Sequence, residues 1–258
     1  MILVIDVGNS NIKYGIYKDD KLYASFRVKS EKGRISDEYG VALLGLLNSR
    51  GINKEDIDGV ILSSVIPSLN YTLSHMCSFF LGKEPIMLAS GIKTGLNIKA
   101  DNPREVGADR IAGCVSAIRK YGEEGTALIT VDFGTATTFN IITSKKEFVG
   151  GVIAPGIKGA LESLVNGTAQ LPMIEIKKPS TIIAKDTISN MQAGIVYGFA
   201  GLVDNIVNNI KTQLGESRYK VIATGGLGEV LLDELKTIDY FDRTLTLDGL
   251  YYIYKLNK

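Results

Sequence analysis

The first stretch of the chain alternates short apolar runs with polar turns. Residues 2–7 are apolar until Asp6, and residues 11–17 and 22–28 carry β-branched and aromatic side chains on either side of the charged turn Lys18-Asp19-Asp20-Lys21. This pattern predicts a three-stranded meander that starts at the first residues. Val41, Leu44 and Leu47 recur at helical spacing within residues 36–48, and residues 59–65 read as a buried strand. Pro67 then opens a helix that runs through the apolar stretch 71–81. Residues 85–88 read as another strand, and residues 105–121 as a helix stopped by Gly122.

The same pattern then begins again. Residues 128–132 are an apolar run leading into Asp132-Phe133-Gly134, and residues 138–143 and 148–153 complete a second meander. Laying Asp6 over Asp132 without a gap, an offset of 126 residues, puts Gly8 on Gly134, Ile16 on Ile142 and Leu22 on Phe148. An offset of nearly half the chain suggests an internal duplication. Downstream, Ile188, Met191, Ile195, Phe199, Leu202, Ile206, Ile210 and Leu214 recur every three or four residues, with small residues from Ala193 to Gly201 among them. They predict a long helix able to lie close against a neighbour. Residues 219–223 read as a strand entering Thr224-Gly225-Gly226-Leu227-Gly228, and residues 248–256 as a closing helix. Meanders alternating with helices, twice over, predict two α/β domains with mixed sheets flanked by helices, at residues 1–117 and 118–258.

Composition narrows the chemistry. With 258 residues, 29 Lys+Arg against 28 Asp+Glu and 45 % hydrophobic residues, the chain reads as globular rather than disordered. Its net charge of +1 lacks the basic excess that nucleic-acid binding needs, so no nucleic-acid partner is expected. The single histidine excludes zinc sites built on several histidines. It also makes any Ser-His-Asp triad depend on His75, which lies in an apolar stretch and reads as a packed residue. Cys77 and Cys114 form no CxxC pair and read as free, buried thiols in a reducing compartment. No apolar run approaches 18 residues, so no membrane span is expected. The N-terminus lacks a basic segment and reaches Asp6 at once, unlike a signal peptide, and a cytoplasmic protein is expected. Glycine is the one excess, 28 residues, which points to tight turns and close backbone approaches.

Those glycines mark the candidate chemistry. In Asp6-Val7-Gly8-Asn9-Ser10-Asn11-Ile12-Lys13 an acid ends a buried strand, a glycine lets backbone N–H groups approach an anion, and small polar residues add donors. Lys13 is a point charge suited to phosphate, and Asp6 could hold Mg²⁺ through water. Alone, the segment reads first as an Asn/Ser-rich hairpin turn. The second copy, Asp132-Phe133-Gly134-Thr135-Ala136-Thr137-Thr138, favours two hairpins facing each other across a cleft and holding a polyphosphate. Other phosphate loops fail: Ile157 stands where a Walker loop needs lysine, and Gly226-Leu227-Gly228 lacks a third glycine. In Asp101-Asn102-Pro103-Arg104-Glu105-Val106-Gly107-Ala108-Asp109-Arg110, Pro103 halts the preceding strand. Asp109 and Arg110 then fall in the first turns of a helix, where the dipole favours an anion. Their plain reading is a surface ion pair.

Taken together, DVGNSNIK (6–13), NPREVGADR (102–110), DFGTATT (132–138), GGVIAPGI (150–157), DTISNMQAGI (186–195) and TGGLG (224–228) resemble the type III pantothenate kinases of the acetate and sugar kinase/Hsp70/actin superfamily. The resemblance implies a duplicated ribonuclease-H-like (actin-like ATPase) fold, a homodimer, and ATP-dependent phosphorylation of pantothenate in coenzyme A biosynthesis. By that likeness Asp6, Val7, Gly8, Asn9, Ser10, Asn11, Ile12 and Lys13 cradle the ATP phosphates, and Thr135 touches ATP. Asp109 is the general base, Gly107, Ala108, Asp109 and Arg110 line the pantothenate site, and Thr187 contacts substrate from the partner subunit's side. Asp132 resembles the ligand of a monovalent cation, K⁺ or NH₄⁺, with Mg²⁺ near Asp6. One position departs: the family's tyrosine two places before the Asn of NPxEVGADR is Ala100 here, leaving substrate packing looser or supplied elsewhere. The competing expectations are a non-catalytic accessory member of the family, against which Asp6, Asp109 and Asp132 are retained, and an actin- or Hsp70-like ATPase, for which the chain is short.

Overall fold

In a computed structural model describing residues 1–258, the first apolar run forms β1 (Ile2–Val7), followed by β2 (Asn11–Lys18) and β3 (Lys21–Lys29). Then come α1 (Ser36–Asn48), β4 (Gly59–Ser64), α2 (Pro67–Met76), β5 (Ile86–Met87), β6 (Asn97–Ile98) and α3 (Ala108–Tyr121). The second meander is β7 (Ala127–Phe133), β8 (Ala136–Ile142) and β9 (Glu147–Pro155). It is followed by α4 (Ile157–Asn166), α5 (Thr187–Leu214), β10 (Tyr219–Thr224), β11 (Tyr240–Phe241) and α6 (Leu245–Leu256). By its internal contacts the chain divides into one unit of Met1–Leu96, Asp101–Ser116 and Thr244–Lys258, and another of Asn97–Ala100 and Ala117–Arg243. No helix is long and apolar enough to cross a membrane.

In the first unit the strand order is β3-β2-β1-β4-β5, with β4 parallel to β1 and β5 parallel to β4. Alternate residues of a strand point to opposite faces. Leu3, Ile5 and Val7 join Tyr39, Leu43 and Leu47 of α1 and Leu69 and Leu73 of α2 in one buried core. Val4 and Asp6 therefore fall on the other face. α6 packs there against β1, β2 and β4, stacking Tyr251 on Tyr17 with ring centroids 4.3 Å apart. Gly249 of α6 lies so close to α3 that a Cβ there would overlap the Ala112 carbonyl, which ties α3 to α6.

The second unit has the order β11-β10-β7-β8-β9-β6. Apart from β6, added parallel to β9 at the edge, this repeats the first order strand for strand. Ile129, Val131 and Phe133 pack with Val221 and Ala223 against α4 and α5, so Asp132 again falls on the opposite face.

The registers show the duplication at single-residue detail and correct the gapless overlay. Val7 pairs with Ile12 in the first hairpin, whereas Phe133 pairs with Thr137 in the second, whose loop is one residue shorter. Ile16 opposite Leu3 therefore corresponds to Ile141 opposite Ile129, not to Ile142. Both halves carry an irregularity at the matching point, between Ile16 and Tyr17 and between Ile141 and Ile142. Beyond it the next turn is one residue longer in the second half, which restores Leu22 onto Phe148.

Other expectations change at their edges. The helix expected from residue 105 begins at Ala108, because Pro103–Glu105 forms a separate 3₁₀ turn and Val106 leaves it extended. The helix expected over 71–81 is α-helical to Met76, then closes as one π-helical turn, Cys77–Leu81, capped by Gly82 in the left-handed region. His75 is not packed: it is exposed, its ring stacked between Tyr71 and Phe79 and its Nδ1 3.1 Å from Ser36 Oγ. Its position on α2 falls opposite the buried Leu69, Leu73 and Met76. Both cysteines are free and buried, and burial pushes the Cys77 thiol up to about 12.

Candidate active site

In the first unit the glycine hairpin closes β1 onto β2. The Gly8 N–H donates to the Asn11 carbonyl at 3.0 Å, and a Cβ on Gly8 would stand 3.2 Å from that oxygen. Ser30, just past β3, clamps the loop from outside: its Oγ donates to the Gly8 carbonyl at 2.6 Å and its N–H to the Ser10 carbonyl at 3.1 Å. Asn9 and Ser10 are exposed, while Asp6 at the carboxyl end of β1 is buried, with Lys13 Nζ 3.8 Å from its Oδ2. Ligands of α/β sheets bind outside the carboxyl ends of the strands. No group of three or more His, Cys, Asp or Glu is placed to hold a metal by itself. A single buried carboxylate beside exposed donors suits Mg²⁺, which keeps its waters and uses one or two carboxylates with substrate phosphates.

The same unit holds the second candidate segment. Asp109 is the second residue of α3, and its Oδ1 accepts the Arg110 backbone N–H at 2.8 Å. The carboxylate thus sits in the positive field of its helix N-terminus. Gly107 makes room for it, since a Cβ there would stand 2.6 Å from Asp109 Oδ1. Asp109 and Arg110 are both half-buried. Upstream, the Asn102 amide donates to Glu105 Oε1 at 2.6 Å and fixes the Pro103 turn.

In the second unit the Gly134 N–H donates to the Ala136 carbonyl at 3.1 Å, closing the shorter hairpin. Gly156, 126 residues after Ser30, packs directly on the Thr135 carbonyl, so the residue after the third strand braces the hairpin in both halves. Gly225 follows β10 with φ of +99°, and a Cβ on it would lie 2.7 Å from Asp132 Oδ1. Only glycine takes that conformation without strain and leaves the carboxylate its place. Thr135 is exposed and Asp132 half-buried. Thr187 is the exposed first residue of α5, which Asp186 caps by accepting the Ser189 N–H at 2.9 Å. That bond holds the Asp186 carboxyl below the usual carboxylate range.

Sequence reasoning missed Ser30 and Gly156 as braces of the hairpins; both follow from the 126-residue offset once the third strand is included.

Two sheets of one order, each with an Asp-x-Gly hairpin at the carboxyl end of its first strand, define the duplicated ribonuclease-H-like, actin-like fold class. An inorganic polyphosphate/ATP-glucomannokinase from Arthrobacter sp. strain KM shares the fold at 16 % identity and TM-score 0.51, over 99 % of this chain and 97 % of that one. So does the (R)-2-hydroxyglutaryl-CoA dehydratase component A of Acidaminococcus fermentans, at 13 % identity and TM-score 0.55, over 100 % and 99 %. Within that class the chain belongs to the type III pantothenate kinase family, whose model matches residues 2–209. A type III pantothenate kinase of Halalkalibacterium halodurans is 48 % identical over 257 residues, covering 100 % of both chains.

Proposed function

We propose that this chain transfers the γ-phosphoryl group of ATP to the primary hydroxyl of pantothenate, forming 4′-phosphopantothenate for coenzyme A biosynthesis. The observation that carries the reading is Asp109, anchored through one oxygen on the first turn of α3 within the residues that match the family model. A primary alcohol is a weak nucleophile at neutral pH and needs a proton acceptor as it attacks. Its oxygen bonds to the γ-phosphorus, the bond from that phosphorus to ADP breaks, and the hydroxyl proton passes to Asp109. The remainder is positioning and charge neutralisation.

The first hairpin and Lys13 hold the phosphates through backbone N–H groups and one ammonium. Asp6 would hold a hydrated Mg²⁺, which when bound would neutralise charge on the phosphates. Gly107, Ala108 and Arg110 line the pantothenate site, with Arg110 suited to the substrate carboxylate. Thr135 would contact ATP, and Asp132 would hold a monovalent cation. The active form is a homodimer in which Thr187 reaches the partner's substrate. A coupled ADP-release assay tests this with pantothenate, other small alcohols and no acceptor, each with and without K⁺. Release that requires pantothenate and rises with K⁺ is expected; release indifferent to pantothenate overturns the reading.

A further inference from the structure

A buried hydroxyl stands beside each hairpin aspartate. Asp6 pairs with Lys13 on β2 and with Ser63 on β4, and Asp132 pairs with Thr138 on β8 and Thr224 on β10. Register partners share a face of the sheet, so each aspartate is the centre of a three-residue polar row. On the same face of β4, Gly59 is covered by Tyr254 of α6, and Ser63 lies near the carboxyl end of the strand.

Ser63 is completely buried, and its Oγ has no hydrogen-bond partner. Burying a hydroxyl without a partner costs stability, and alanine at the same place would avoid that cost. Nothing in the strand needs serine, since its neighbours Val60, Ile61 and Leu62 are apolar and equally buried. The group that Ser63 can serve is the one beside it. Lys13 lies 3.8 Å from Asp6 in the free protein and is also the cation assigned to the phosphates. One ammonium swinging towards a triphosphate loosens its hold on a buried carboxylate.

We propose that Ser63 is a positioning residue for Asp6: its hydroxyl is held in reserve and donates to the Asp6 carboxylate when Lys13 turns to the nucleotide phosphates. A hydroxyl suits this better than a second cation, because it orients the carboxylate without competing with Mg²⁺ for its charge. Thr224 holds the matching place beside Asp132, which is what a device inherited by both halves would leave. The proposal rests on the phosphotransferase reading above.

The test is calorimetric titration of ADP, with Mg²⁺ and with chelator, into the full chain and its Ser63→Ala variant, together with Tm of the unliganded proteins. Ser63→Ala is expected to weaken Mg·ADP binding roughly ten-fold. Metal-free ADP binding should stay within about two-fold and the unliganded Tm should rise by about 2–4 °C. Ser116→Ala removes another buried hydroxyl without a partner, away from the hairpin, and should leave Mg·ADP binding unchanged. Unchanged Mg·ADP binding by Ser63→Ala overturns the proposal. So does an equal loss with and without metal accompanied by a lower Tm, which marks a structural role, or an equal loss in Ser116→Ala. A wild-type chain that binds no Mg·ADP sinks the phosphotransferase reading itself, a different result from a variant that matches a binding-competent wild type.

Discussion

Asp109 Oδ1 accepts the backbone N–H of Arg110 at 2.8 Å, so the carboxylate is pinned by one oxygen to the first turn of its own helix. The other oxygen is the one proposed to take the substrate proton. Asp109→Asn keeps the shape and the helix contact but cannot take that proton. Its kcat should fall by about 10²–10⁴ with Tm and the KM for ATP little changed. A variant at full rate would remove Asp109 from the chemistry.

Gly107 sets that carboxylate's position by leaving it space. Gly107→Ala puts a Cβ 2.6 Å from Asp109 Oδ1 and must displace the side chain, since no positive φ is involved. A shift on the order of 1 Å at a reacting group can cost about 10²-fold, so kcat should drop by roughly 10- to 100-fold. Double-mutant kinetics check the route: in an Asp109→Asn background the Gly107→Ala change should add little.

Lys13 is the ammonium of the first hairpin, a third exposed and 3.8 Å from Asp6. Lys13→Ala should raise the KM for ATP by about ten-fold, with a smaller change in the KM for pantothenate. Initial rates over a matrix of both substrates separate these effects. A change confined to pantothenate would contradict the assignment.

The K⁺ site proposed above lies on the second hairpin. Asp132→Asn should flatten the dependence of rate on K⁺ while leaving the sheet intact, since Asp132 is only half-buried. Gly225→Ala should act in the same direction through the Cβ placed 2.7 Å from Asp132 Oδ1. Rates in K⁺ against Na⁺ measure both, and a wild-type-like K⁺ activation in Asp132→Asn would reassign the cation.

Stability at high pH is expected to run through α6. Burial, and then the 2.5 Å hydrogen bond to Asp20, push the Tyr251 hydroxyl from 10.0 up to about 12. The folded state favours the neutral phenol, so this contribution is complete below about pH 10 and is lost as pH rises through about 12. Tyr251→Phe should lower Tm at neutral pH and show less alkaline loss between those values than the wild type. Parallel melting curves of the two proteins across that window would contradict it.

Much of the architecture is legible because it is local. The alternation of residues 2–28 and its return at residue 128 predict both meanders, and the spacing from Ile188 to Leu214 predicts α5, observed as Thr187–Leu214. α4 was legible and went unread, since Ile157, Ala160, Leu161, Leu164 and Val165 recur at helical spacing, whereas β6 and β11 escaped because two residues carry no period. The apolar stretch around His75 predicts packing, yet Tyr71 and Phe79, one helical turn to either side, share its face and all three are exposed.

By itself the sequence determined the two hairpins, the aspartates that end their first strands, and the placing of Asp109 at a helix start. These follow from periodicity and turn chemistry, which act over a few residues. Only tertiary structure decided that Ser63 stands beside Asp6, that Thr244–Lys258 returns to the first unit, and that one residue is missing from one loop and restored in the next turn. Parallel pairing, helix docking and register join residues tens to hundreds of positions apart. They are fixed by which faces can be buried together, a property no local window of sequence contains.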